Sequence, residues 1–309
     1  LIGKNHNNST INDVQALGNV DLDAQINSYK ANSNLSVYLG GLIGDNSKSD
    51  VSQASATGAV EVNIKTGFGI LPVDIDVNAH IGGLIGRNSG STLRQSYATG
   101  NVLATVASNS DWIETNVGGL IGSQQGNSIS QSHATGTVHL NATLNTLGAN
   151  SNSELYISTG GLIGKSHQVE LNNVHATGTV TSNAYSQSDN FSDIKNYKTN
   201  LFTHTGGLIG QSTESHVTHG YALGKVEASL NATVNAFANI QMSSGGLVGS
   251  LSNTEIKQSY AGGNVQHDHQ VVGGATTRSS MGGLAGVNQN SSINIAYASG
   301  SVRCSDSGD

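Results

Sequence analysis

A five-residue segment, "GGLIG" at residues 82–86, recurs with small changes along the whole chain. Each copy is followed by a second glycine, 15 residues after the segment ends in the first copy and 14 in the other seven. The distance from this second glycine to the last glycine of the next copy varies from 22 residues (Gly100 to Gly122) to 32 residues (Gly178 to Gly210). Stacked coils must match their neighbours, whereas loops that leave the stack need not. This pattern predicts a β-solenoid of about eight units with variable hairpin excursions.

Two sets of glycines mark the structural repeat positions. The first set ends the five-residue segment at Gly3, Gly44, Gly86, Gly122, Gly164, Gly210, Gly249 and Gly286. The second set lies at Gly18, Gly58, Gly100, Gly136, Gly178, Gly224, Gly263 and Gly300. We expect glycine there because it permits tight corners or a positive φ, where a Cβ would cost energy.

Composition and hydrophobic alternation both predict an all-β chain. The 309 residues include 40 glycines and one proline, and only 11% are charged. Apolar residues alternate with polar ones in the variable segments, as at Val60, Val62 and Ile64, which places one face of each strand inward. Each unit is predicted to contain a short GGLIG strand, a turn, a second strand, a glycine corner, an outgoing strand, a variable turn and a return strand.

The predicted core consists of ladders of equivalent residues. An aliphatic side chain lies seven residues before each second glycine, at Ile11, Val51, Leu93, Ile129, Leu171, Val217, Ile256 and Ile293. We predict one repeat domain over residues 1–302, with units of about 36 to 46 residues, and a polar C-terminal tail over 303–309. The pattern fits either one or two coils per unit, and either handedness.

Charge and cysteine content argue against several classes of protein. The net charge is −7, without a run of like charges, so no nucleic-acid partner is expected. The single cysteine, Cys304, excludes a disulfide within the chain and a zinc site of several cysteines. There is no apolar run of about 18 residues, so no membrane span is expected. Because the chain begins at Leu1, inside a copy of the segment, we expect a processed or partial piece.

The segment Gly82-Gly83-Leu84-Ile85-Gly86 and its copies resemble the GLUG motif over essentially the whole chain, from Leu1 to Val302. That motif occurs in tandem in bacterial surface and secreted proteins, including adhesins of filamentous-haemagglutinin type and the non-catalytic part of some IgA-cleaving metallopeptidases. The resemblance implies a structural unit at the cell surface or outside the cell. It does not imply peptidase activity here, because the chain has no His-Glu-x-x-His sequence.

Histidine is the residue type that most invites a functional interpretation. His267, Asp268 and His269 are candidates for a metal site, because alternate residues of a strand share a face. We favour a solvated loop or hairpin tip there and predict no metal and no cofactor. His133 and His175 occupy a position that is tyrosine in four other units, which favours a stacked ring ladder over a ligand-binding role.

Catalysis of polysaccharide cleavage by a β-helix enzyme would need carboxylates and basic groups gathered across neighbouring coils. The candidates are Asp45, Asp50, Arg87, Arg94 and Lys165, and we interpret them as scattered, solvated surface charges.

The sequence therefore predicts a non-enzymatic structural or adhesive repeat module, extracellular or at the cell surface, that forms a rigid rod of an adhesin or fibre. Its partner would be a glycan or another cell-surface protein, bound by the variable hairpins. Separate copies of the chain could also associate head to tail. The alternative is a β-helix polysaccharide-processing enzyme or a carbohydrate-binding module.

Overall fold

A computed structural model describes residues 2–26, 33–67, 75–109, 112–146, 152–188, 198–234 and 238–306. All regular secondary structure in these ranges is β-strand, and every strand pair recorded between neighbouring turns is parallel. The described residues form no helix that is long and apolar enough to cross a membrane. The all-β prediction is confirmed.

The strands follow one another along the chain in groups of four. The first half contains β1 (Ile2–His6), β2 (Thr10–Ala16), β3 (Val20–Ile26), β4 (Ser33–Gly40), β5 (Ile43–Ser47), β6 (Asp50–Ala56), β7 (Val60–Thr66), β8 (Ile75–Gly82), β9 (Ile85–Ser89), β10 (Leu93–Arg94), β11 (Tyr97–Ala98), β12 (Val102–Ser108), β13 (Trp112–Gly118), β14 (Ile121–Gln125), β15 (Ser128–Ala134) and β16 (Val138–Thr146). The second half contains β17 (Ser153–Gly160), β18 (Ile163–His167), β19 (Glu170–Ala176), β20 (Val180–Ser188), β21 (Thr199–Gly206), β22 (Ile209–Thr213), β23 (His216–Ala222), β24 (Val226–Thr233), β25 (Asn239–Gly245), β26 (Val248–Ser252), β27 (Glu255–Ala261), β28 (Val265–Val272), β29 (Thr276–Gly282), β30 (Ala285–Gln289), β31 (Ser292–Ala298) and β32 (Val302–Asp306).

Each sequence unit makes one coil. The first seven coils contribute to four sheets, and the last contributes β30, β31 and β32 to three of them within the described residues. Sheet A runs β1-β5-β9-β14-β18-β22-β26-β30, and sheet C runs β3-β7-β12-β16-β20-β24-β28-β32. Sheet B holds the second strands, with β10 and β11 as two halves of one rung, and sheet D holds the return strands β4, β8, β13, β17, β21, β25 and β29. Equivalent residues stack in register, as Ile85 does between Ile43 and Ile121. The chain thus forms the predicted β-solenoid, with about seven turns.

The core has two parts, both built from ladders of equivalent side chains. Sheets A and B enclose one cluster, which includes Leu84, Ile85 and Leu93, and sheets C and D enclose the other, which includes Val102 and Ile113. The aliphatic position before each second glycine is buried through Ile256, so that predicted ladder is confirmed. Ile293 on the last turn is 38% exposed.

Close backbone approach leaves no room for a Cβ at the repeat glycines of the second and later units, whereas Gly3 and Gly18 in the first unit have open space. A Cβ on Gly86 would lie 2.6 Å from the carbonyl oxygen of Gly44, and one on Gly100 would overlap the carbonyl oxygen of Gly58. None of the repeat glycines has a positive φ, so that part of the expectation is wrong. Positive φ occurs instead at non-glycine residues in the middle of the sheet B rungs, such as Gln95 (φ 50°) and Gln131 (φ 49°).

The last strand, β32, pairs with β28 through Asp306. Residues 303–306, which the sequence assigned to a polar tail, therefore continue sheet C. The division of the chain into domains stays a prediction.

A ladder of side-chain amides supports the turn from sheet A to sheet B. Asn46 donates to Asn88 Oδ1 (2.6 Å), and Asn88 donates to Gln124 Oε1 (2.6 Å) and to the carbonyl oxygen of Ser91 (3.3 Å). Asn46, Asn88 and Gln124 are all buried. Because a buried amide must find partners for its donors and acceptor, these contacts fix both the turn and its register with the turns on either side.

Replacing Asn88 with alanine is expected to lower the free energy of unfolding by about 2 kcal/mol, because Gln124 Oε1 loses its donor in a buried position. Urea denaturation measures this change. Asn294→Ala is the control, because Asn294 is exposed on β31 and lies outside the amide ladder. Equal effects of the two substitutions would contradict a structural role for the interior of the ladder.

Candidate binding groove

A groove of about 580 Å³ lies along the solenoid, where the outer face of sheet D meets the outer face of sheet A. It crosses β13, β17, β21 and β25 of sheet D and β18, β22, β26 and β30 of sheet A. Its lining comprises Trp112, Glu114, Asn116, Glu154, Tyr156, Ile157, Ser158, Phe202, His204 and Gln241 from sheet D, and Lys165, Gln211, Thr213, Ser250, Ser252, Val287 and Gln289 from sheet A. Alternate residues of each strand reach it because side chains in a strand alternate between faces.

Aromatic side chains occupy the sheet D wall of the groove. Tyr156 and Phe202 are in register on neighbouring strands, and their rings stack at 5.2 Å between centroids with planes 8° apart. The Tyr156 hydroxyl donates to Glu154 Oε2 (3.0 Å). Trp112, the only tryptophan of the chain, stands beside Glu154 in the same wall. Together these rings form a half-exposed apolar surface with polar groups at its edges.

An ion pair links the two walls. Lys165 Nζ on sheet A lies 2.8 Å from Glu114 Oε1 on sheet D, although the residues are 51 positions apart. Burial raises the pKa of Glu114, but the hydrogen bond and charge of Lys165, together with the hydrogen bond from Asn116, outweigh burial and lower that pKa overall. Glu114 is therefore ionised at neutral pH and accepts hydrogen bonds at the base of the groove.

Sheets A and D also meet beyond the groove, towards the first turns of the solenoid. A second ion pair lies at this edge. Arg87 binds both carboxylate oxygens of Asp45, at 2.8 and 2.9 Å, and its guanidinium lies 4.3 Å from the centre of the Tyr38 ring. Asp45 is only 5% exposed. The interpretation of Asp45, Arg87 and Lys165 as scattered solvated charges is wrong, because stacking of the turns brings each beside a partner from another turn.

His80 and His204 occupy the same stacked position of sheet D, near the edge where sheet D meets sheet A. The His80 ring stacks on Tyr38 at 5.3 Å, and its Nδ1 accepts a hydrogen bond from Asn116 (3.0 Å). Burial lowers the pKa of His80 to about 4, with further lowering by Arg87. Burial and then the charge of Lys165 lower the pKa of His204 to about 4. Both imidazoles are therefore neutral at neutral pH.

The candidate metal residues are not brought together into one site. His267, Asp268 and His269 lie within β28, so the hairpin-tip interpretation is wrong. The His267 ring is fully buried, with Ser244 Oγ 3.0 Å from Nδ1 and Ser279 Oγ 2.7 Å from Nε2. Asp268 faces the other side of the strand and accepts from Gln266 (3.0 Å). Within the described ranges no group of three or more His, Cys, Asp or Glu residues is arranged to hold a metal ion.

The predicted ring ladder on sheet B is confirmed. Centroid separations are 4.6 to 5.3 Å and planes differ by 2 to 7° along Tyr97, His133, His175, Tyr221, Tyr260 and Tyr297. Burial lowers the pKa values of His133 and His175, which favours neutral rings in the stack. The imidazoles thus take the place of phenol rings in a structural role.

Sequence reasoning missed the groove. It assigned binding to the variable hairpins, whose tips lie largely outside the described residues, whereas the groove lies on the regular strands. The available signal was the set of aromatic and charged residues at alternate positions of the return strands, such as Trp112, Glu114 and Tyr156.

Comparison with known families bears on the repeat itself. A family model described as the GLUG motif matches residues 77–103 and 114–138. The chain carries GLUG repeats. The first matched GLUG segment includes His80 and Arg87, and the second includes Glu114 and Asn116, so residues of the corner between sheets A and D lie within matched repeats. The chain has no significant match among curated proteins or solved structures.

Proposed function

We propose that this GLUG repeat solenoid is a non-enzymatic, extracellular structural and adhesive module, acting as a rigid segment of a surface adhesin or fibre. One observation carries the proposal: the same four strands stack in parallel register through about seven turns. Eight rungs spaced by about 4.8 Å give a rod roughly 34 Å long. Continuous main-chain hydrogen bonding and two dry cores resist bending of such a rod.

The protonation state of Glu114 in the groove supports a binding role over catalysis of glycan cleavage. Acid-base cleavage of a glycosidic bond uses a carboxylic acid that is protonated at working pH, usually through a raised pKa. The groove does contain two carboxylates, Glu114 and Glu154, which is the observation that keeps a polysaccharide-processing enzyme as the second candidate. The lowered pKa of Glu114 favours a hydrogen-bond acceptor there.

The location and the rod shape can be tested together. In cells that produce the protein, we expect antibody against this chain to label intact cells or the culture medium, and external protease to remove the label. Small-angle scattering of the purified chain is expected to fit a rigid particle about 34 Å long along the solenoid axis, and a concentration series tests the proposed head-to-tail association. Confinement to the cytosolic fraction, or scattering from a flexible particle, would contradict the proposal.

A further inference from the structure

We propose that the groove between sheets A and D binds a linear, uncharged glycan chain running parallel to the solenoid axis. This inference rests on the proposed function in one respect, since it supplies the contact surface of an adhesive rod. It replaces the variable hairpins as the binding element. The site consists of the aromatic wall of sheet D and the polar wall of sheet A.

The aromatic wall fits the apolar faces of sugar rings. A pyranose presents axial C–H groups on its faces and hydroxyls around its edge, so it packs flat on an aromatic ring. Tyr156 and Phe202 stack on one another with nearly parallel planes, so each ring covers one face of the other, and the rest of each ring is half-exposed along the groove. Trp112 lies opposite Glu154 on the neighbouring turn, two residues away from the position opposite Tyr156, and adds a third half-exposed ring to this wall. The opposite wall is mostly polar, with Lys165 and Gln211 among its side chains and Val287 as the apolar exception.

The opposite wall carries the groups that bind sugar hydroxyls. Gln211, Thr213, Ser250, Ser252 and Gln289 follow one another on successive strands of sheet A. Amides and hydroxyls both donate and accept, which matches the dual character of a sugar hydroxyl. A site that combines aromatic surface with a few convergent polar groups has the composition of a small-molecule binding site.

Charge selects an uncharged ligand. The charged side chains of the lining are Glu114, Glu154 and Lys165, and Glu114 and Lys165 neutralise one another. His204 is neutral at neutral pH. The remaining carboxylate of Glu154 accepts from Tyr156 and from Asn200 (3.1 Å). A uronate chain would meet this negative charge without an unpaired cation among the lining residues, and a polyamine chain would have only one carboxylate to contact.

The repeat of the rungs favours a chain over a single sugar. Equivalent lining positions recur at about 4.8 Å along the axis, close to the advance of one pyranose in an extended polysaccharide. The groove crosses four successive strands of each sheet, so consecutive sugars would meet equivalent positions.

Binding can be followed through Trp112, the only tryptophan of the chain, by its intrinsic fluorescence. The probes are hexaoses of β-1,4-linked glucose, xylose, mannose and N-acetylglucosamine, with oligogalacturonate and chitosan hexaose as charged comparisons. We expect saturable change with at least one neutral hexaose, at a Kd between about 10 μM and 1 mM, and at least tenfold weaker binding of both charged probes. Tighter binding of a charged probe would overturn the proposal, as would absence of saturable change with all four neutral hexaoses.

Two substitutions locate the site. Tyr156→Ala and Phe202→Ala are each expected to weaken binding by about tenfold, because each removes half of the stacked platform. Tyr185→Ala is the matched control, because Tyr185 is 37% exposed on sheet C, away from the groove. Circular dichroism must show that each variant retains its β-structure, and a variant that unfolds is replaced by Gln241→Ala. Unchanged affinity in the folded groove variants would overturn the proposal.

The same samples separate this inference from the proposed function. Scattering from a rigid particle and surface labelling, with no hexaose binding, would refute the glycan site and leave the structural module. Release of new reducing ends from a bound hexaose would support the site but replace the non-enzymatic function with polysaccharide processing.

Discussion

Replacing Gly136 with alanine is expected to prevent folding or to cost more than about 4 kcal/mol, because the new Cβ would overlap the carbonyl oxygen of Gly100 on the neighbouring turn. The same Cβ would lie 3.0 Å from the Thr99 carbonyl oxygen. Both obstacles are backbone atoms, so relief requires the two turns to separate and lose ladder hydrogen bonds. Soluble yield, far-ultraviolet circular dichroism and the urea midpoint measure the effect.

Gly18→Ala is the matched control for this substitution. Gly18 holds the equivalent repeat position, but a Cβ there would meet no atom within 4 Å. We expect Gly18→Ala to change the urea midpoint by little. If Gly136→Ala folded with the stability of the Gly18 variant, close stacking would not be the reason for glycine at these positions.

Acidification from pH 6.5 to pH 4 is expected to destabilise the solenoid steeply. His80, His204 and His267 have pKa values lowered to about 4, chiefly by burial. The unfolded chain takes up protons near the ordinary value of about 6.5, whereas the folded chain resists protonation until about pH 4. The stabilisation by these neutral rings is therefore present above pH 6.5 and lost as the pH falls towards 4. At the fully buried His267 the loss is about 3 kcal/mol.

Urea midpoints at pH 7 and pH 4 measure this loss. The variant His267→Gln retains hydrogen-bonding groups towards Ser244 and Ser279 but cannot titrate, so its stability should fall less between the two pH values. His219→Asn is the control, because His219 is exposed and its positive φ of 54° suits asparagine. Equal falls for the wild-type chain and for His267→Gln would refute a contribution from His267.

The fixed part of each repeat was predictable from sequence, for a definite physical reason. Stacking requires equivalent residues at equal spacing, so Leu93 and Ile129 reveal their shared ladder by position alone. Equal spacing likewise marks Gly58 and Gly100 as equivalent positions that need glycine. The structure explains that need by close approach of the two backbones and not by a positive φ. The ring stack of His133 and His175 was visible for the same reason.

The groove was not predictable in this way, because it depends on the angle between two sheets. Lys165 and Glu114 belong to different kinds of strand on different turns, and no periodicity relates them. The pairing of Asp45 with Arg87 is different, because the two residues hold equivalent positions on neighbouring strands of sheet A and equal spacing does relate them. Alternation shows that Tyr156 and Glu114 point outward, but not that the surface they point into is concave.

The one-coil repeat also sets how the molecule carries mechanical load. Hydrogen bonds between rungs lie along the rod, so tension applied end to end pulls directly on four ladders at each of the first six junctions and on three at the last among the described residues. A junction that fails frees the chain of one turn and leaves the other junctions paired. Gly86 and Gly122 are 36 residues apart and Gly164 and Gly210 are 46 apart, so each event releases roughly 120 to 150 Å of chain. Under tension the stiff rod becomes a series of extensible links that absorb energy one turn at a time.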